Sequence, residues 1–116
     1  MSEEHIDVEL NGTNWRMPIS FAVSKQIARE VADPLQMTMK IAVKLWQWEI
    51  AHVVNVIFAG VSAAGCQFTR DQVGEAIMRG GVVNYIETAG QYVASLVNGK
   101  PARALPEEVE NAGKKA

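Results

Sequence analysis

The stretch Val53-Val54-Asn55-Val56-Ile57-Phe58-Ala59-Gly60-Val61-Ser62-Ala63-Ala64-Gly65 decides the reading of this chain. Together with Ile50, the residues Val53, Val54, Ile57, Val61 and Ala64 recur at helical spacing, and Phe58 widens the stripe. That pattern predicts a helix with one apolar face, stopped by Gly65. After the turn Cys66-Gln67-Phe68, Thr69 and Gln72 stand at capping-box spacing and Asp71 complements the helix dipole, so another helix starts there. Val73, Ala76 and Ile77 face inward, and Gly80-Gly81 ends it. A last helix is expected over residues 82–97, with Val82, Ile86, Ala89, Val93 and Leu96/Val97 on one face. Asn98-Gly99 and then Pro101 stop it. The block 53–97 offers helices, stops and caps, but almost no reactive side chains.

Upstream, His5-Ile6-Asp7-Val8-Glu9-Leu10 alternates polar and apolar residues, the period of a half-buried strand. Asn11-Gly12-Thr13-Asn14 is a turn, and Trp15-Arg16-Met17-Pro18-Ile19 returns as a second strand with Pro18 at an edge or end. A lone hairpin is marginal in water, so helices must cover its apolar face. Ser20 caps a first helix over residues 21–31, with Val23, Ile27 and Val31 as its stripe. Asp33-Pro34 starts a second, running to about residue 44. Near Leu45-Trp46-Gln47-Trp48 the helix either continues or breaks, with a third beginning near residue 47. The break is favoured, because an unbroken helix over 34–64 would span roughly 45 Å. The expected fold is α+β, mainly α: an N-terminal β-hairpin packed on a bundle of four to five helices. Residues 1–99 form the single domain and 100–116 a flexible tail, since 101–116 carry two prolines, a glycine and mixed charges.

A chain of 116 residues with 48% hydrophobic and 21% charged residues fits one ordinary globular domain. Net charge is −2, which gives no whole-chain electrostatic footprint for nucleic acid. One cysteine excludes an intramolecular disulfide framework and fits a reducing compartment. Met1-Ser2-Glu3-Glu4 is acidic where a secretory signal needs a basic start. Residues 50–68 are apolar, but His52, Asn55, Ser62 and Gln67 interrupt them well short of a membrane span. A cytoplasmic protein with no membrane partner is expected.

The search for chemistry returns little. His5 and His52 have no Cys or His at ligand spacing and read as structural; no metal or cofactor is expected. Cys66 lies near Arg70 and a helix start, yet without a positioned base it reads as a small buried hydrophobe. Asp7/Glu9 and Glu107/Glu108/Glu110 read as solvated faces, and the glycines form no phosphate loop. No catalytic residue is assigned, and the protein is expected not to be an enzyme. The helix–turn–helix order around Gly65 invites a DNA-binding reading with Arg70, Gln72 and Arg79 exposed. Asp71 and Glu75 on the same helix would oppose phosphates, and plain packing is the commoner use of such a pair. Trp46 and Trp48, two apart, cannot share one face of a regular helix. With Met37 and Met39 upstream they are the candidate partner-binding residues; the alternative is that both rings wrap over the hairpin.

The order of hairpin with Asn-Gly turn, amphipathic helix, Asp-Pro loop and Trp-bearing segment is followed by two local patterns. These are Val54-x-x-Ile57-Phe58-Ala59-Gly60-Val61-x-x-Ala64-Gly65 and Phe68-Thr69-x-x-x-Val73. Over residues 6–97 this resembles the small tail proteins of siphophages and of gene transfer agents, phage-like particles encoded in bacterial chromosomes. The matching positions are mainly core apolars and glycines, which transfer fold better than function. The tryptophan pair departs from the pattern, where one aromatic is usual. The family is labelled a tail tube component, but the size and helical content are more like a tail assembly chaperone. The resemblance implies a non-enzymatic assembly protein in the bacterial host, whose partner is the tape-measure protein, a long helical chain kept soluble until tube subunits polymerise around it. It also leaves open a structural tail tube or tail-completion subunit carried in the virion, which would form homo-oligomers. A helix-turn-helix regulator is the third reading.

Overall fold

The hairpin forms where the Asn-Gly signal places it. In the computed structural model, which describes residues 4–101, β1 (His5–Leu10) and β2 (Thr13–Pro18) pair antiparallel, with Val8 opposite Trp15 and Leu10 opposite Thr13. Asn11 and Gly12 have φ of +53° and +80°, the two positive values a type I′ turn requires. The turn is therefore two residues long, and Thr13 and Asn14 join the ladder. Alternation sends Val8, Leu10 and Met17 into the core, with Ile6 and Trp15 partly buried beside them. Pro18, which lacks an N–H, is the last residue of its strand.

Five helices follow, of which the last three pack on the hairpin and the first two on other helices, giving the α+β, mainly α arrangement. α1 (Phe21–Glu30) starts where the Ser20 hydroxyl accepts the Val23 N–H at 3.2 Å, and it buries Val23 and Ile27. α2 (Pro34–Ala42) starts where the Asp33 carboxylate accepts the Leu35 N–H at 2.9 Å. It ends earlier than its apolar pattern predicts. Lys44 takes a φ of +62°, rare for a residue with a Cβ, and the Leu45 and Trp46 N–H groups donate to the Lys40 carbonyl at 2.8 and 3.2 Å. Such a closure over the last turn is a helix stop that glycine usually supplies. The expected break is present, but α3 (Ile50–Ala63) begins three residues later than the spacing suggests. Trp46 and Trp48 consequently sit in an irregular link.

α3 is the central element, packing against β2, α1, α4 and α5. Because it is covered from several sides, Val56, Ala59 and Gly60 are buried as well as Val53, Ile57 and Val61. Ile50, expected on the inner stripe, is exposed at the helix start. α4 (Arg70–Gly80) carries the reciprocal cap the sequence predicts. The Gln72 N–H donates to Thr69 Oγ1 at 3.1 Å, and the Thr69 N–H donates to Gln72 Oε1 at 2.8 Å. α5 (Val83–Asn98) stops at Gly99, whose φ of +76° and N–H bond to the Ser95 carbonyl complete a left-handed cap.

The hairpin is fixed at one crossing. Gly60 lies where β2 and α5 meet α3; a Cβ there would come within 2.7 Å of Tyr92 Cε2 and overlap the Met17 side chain. The Tyr92 hydroxyl donates to the Pro18 carbonyl at 2.6 Å, tying α5 to the end of β2. Tyr92 is fully buried and burial pushes its phenol well up, so it stays protonated and keeps donating. No helix among the described residues is long and apolar enough to cross a membrane. The part of the expected tail over 102–116 lies outside the described residues.

Candidate functional site

The four residues singled out from the sequence do not form one surface. Met37 is 0% exposed and belongs to the core with Pro34, so its assignment to a partner-binding face is corrected. The reason is the phase of α2. That helix packs on α5 and turns Met37 inward, which places Leu35, Met39 and Val43 outward at i, i+4, i+8. These three residues and Leu45, just beyond the helix, are 49% to 72% exposed. Leu35, Val43 and Leu45 were missed because their outward direction follows from the α2–α5 contact, which hydrophobicity alone does not reveal.

Trp46 and Trp48 are both partly buried and pack against the core. Their ring centroids are 5.7 Å apart with planes at 81°, an edge-to-face pair, and the His52 ring lies 5.2 Å from Trp46. His52 also holds the start of α3, because its Nδ1 accepts the Glu49 N–H at 3.2 Å; this places the proton of the neutral ring on Nε2. The corner is thus an aromatic plug between α2 and α3. Among the described residues the buried Trp46 Nε1–H has no acceptor, and an unmet buried donor costs about 1–3 kcal/mol. Leu45 projects from the rim of this plug into solvent.

The residues expected for DNA recognition are already engaged inside the chain. Arg70 pairs with Glu30 at 2.9 Å and lies 4.9 Å above the Phe58 ring, while Arg79 donates to Asn11 Oδ1 at 3.4 Å. Gln72 is used in its own helix cap. His5 lies 3.4 Å from Asp7, and Cys66 is buried. Among the described residues no three or more His, Cys, Asp or Glu side chains are grouped so as to hold a metal ion.

A concavity of about 540 Å³ between the hairpin and helices α4 and α5 is lined by Asp7, Glu9, Arg79 and Tyr85. Its floor is fastened by the Tyr85 hydroxyl, which donates to the Glu9 backbone carbonyl at 2.9 Å. Burial, and then the nearby Glu9 charge, push the Tyr85 phenol up. The cleft is a strapped junction between strand and helix.

Comparison with protein families, curated proteins and solved structures gives no match.

Proposed function

We propose that this protein is a non-enzymatic assembly protein of a phage or gene-transfer-agent tail, acting in the bacterial cytoplasm as a chaperone for the tape-measure protein. The observation that carries the reading is the exposed apolar row Leu35, Met39, Val43 and Leu45 beside the tryptophan corner. A folded chain leaves few such rows uncovered unless something binds them. A long helical client exposes apolar stripes of its own, and an apolar row centred on the flexible, unbranched Met39 side chain adapts to many of them. Contact over so small a row is weak and reversible, which suits a chaperone that tube subunits must displace.

Co-expression with the tape-measure protein tests the reading directly. The expected result is a soluble complex that Met39→Glu combined with Leu45→Glu abolishes. An unchanged solubility and no complex with the wild-type chain would sink it. Mass analysis of mature particles separates the rival: a chaperone is absent from them, whereas a tail tube or completion subunit is present in many copies.

A further inference from the structure

A groove of about 710 Å³ runs between α3 and α4, on a face that shares no residue with the α2 row or the tryptophan corner. The two helices run antiparallel there. Arg70 reaches Phe58 at one end, Gly74 faces Val54 in the middle, and the exposed Ile50 and Met78 stand at the other end. From Arg70 to Met78 the wall is about 12 Å long, two helical turns. Gly74 sets its depth. A Cβ at this position would lie 3.7 and 3.8 Å from the Val54 methyls, an ordinary contact, so packing does not require glycine. A larger side chain would fill the groove.

The charge of the wall is one-sided. Arg70 is neutralised by Glu30, whereas Asp71 and Glu75 have no cationic partner among the described residues. They are four apart on one helix face, where like charges repel. Arg79, four residues beyond Glu75, donates to Asn11 Oδ1 and forms no ion pair with Glu75. Asp71 is offset by the helix N-terminus; Glu75 lies beyond the first turn. A cationic partner relieves both.

We propose that this groove docks an amphipathic helix of a partner protein, its apolar side chains over Val54 and Gly74 and its flanking Lys or Arg side chains against Asp71 and Glu75. The site goes beyond the chaperone reading and does not depend on it. Fluorescence anisotropy tests it with two labelled synthetic helices that share one leucine stripe, flanked by lysine in one and by glutamate in the other. The lysine-flanked helix is expected to bind the full chain, more weakly as salt rises. Gly74→Leu, which should strengthen α4 while blocking the groove, and Glu75→Lys with Asp71→Lys are each expected to weaken binding by at least about tenfold, the factor that roughly 1.4 kcal/mol represents. The reversed-charge variant should bind the glutamate-flanked helix instead. Met39→Glu should leave binding unchanged. Equal binding of both helices to the wild-type chain, or binding insensitive to Gly74→Leu in a variant that retains its helical circular dichroism, overturns the proposal. So does a dimer in sedimentation that Gly74→Leu dissociates while neither helix binds, which would assign the groove to a second copy of the chain.

Discussion

Gly60 and Gly74 are both helix-interior glycines facing another element, and their surroundings differ completely. At Gly60 there is no room: Met17 and the Tyr92 ring occupy the space a side chain would take. At Gly74 there is ordinary room, with Val54 at contact distance and an open groove beyond. A glycine in a helix interior costs about 0.8–1.0 kcal/mol relative to alanine. At the first position tight packing of the hairpin offsets that cost. At the second no contact does, and the result is a concave surface. One residue type therefore marks both a close-packed crossing and the wall of an open groove.

The sharpest way to break this contrast is Gly60→Ala. Met17 can swing its thioether aside, but the Tyr92 ring is pinned by its hydroxyl, so a loss of about 2–3 kcal/mol is expected from overpacking. Urea unfolding midpoints measure it, and a loss near zero would show that the crossing is loose. Tyr92→Phe should follow at about 1–2 kcal/mol, because it leaves the Pro18 carbonyl without its donor. The same variant has a signature in pH. The folded phenol sits above its ordinary value of 10.0, so the folded chain holds a proton that the unfolded chain releases. Stability is fully present below pH 10.0 and falls as the pH rises beyond it, and Tyr92→Phe should flatten that fall. Thermal melts between neutral pH and the alkaline range would read the slope.

Gly74→Ala is expected to act in the opposite direction, raising stability by about 0.5–1 kcal/mol. A destabilising result would mean that α3 and α4 need to approach more closely than Val54 allows. Smallest of all, Met39→Glu should change folding by no more than about 0.5 kcal/mol, since the side chain touches mainly solvent. A larger loss in the same unfolding assay would place Met39 in the core rather than on an outer row.

What could be read from the sequence was local. The Asn11-Gly12 turn, the Ser20 and Asp33 caps, the Thr69/Gln72 box and the Gly99 stop each depend on residues within one turn, and each forms as spaced. Lys44 escaped because a lysine in a left-handed position has no sequence signal. Met37 and Tyr92 escaped for a different reason. Methionine suits surface and core equally, and a tyrosine becomes a buried pin only if a distant carbonyl arrives opposite its hydroxyl. The groove was hidden in the same way: Asp71, Gly74 and Glu75 look like an ordinary polar helix face until α3 supplies the other wall.

The Tyr92–Pro18 hydrogen bond joins residues 74 positions apart. During synthesis the N-terminal hairpin leaves the ribosome first, yet its apolar face is completed only by the last helix. Two strands alone do not hold together in water. The nascent chain therefore carries part of that face uncovered until α3 has been made to cover β2, and α4 and α5 to cover β1. At ordinary elongation rates of about 5–20 residues per second, that exposure lasts several seconds. Timing on the ribosome, as much as stability at equilibrium, thus bears on how much of this protein reaches its native state.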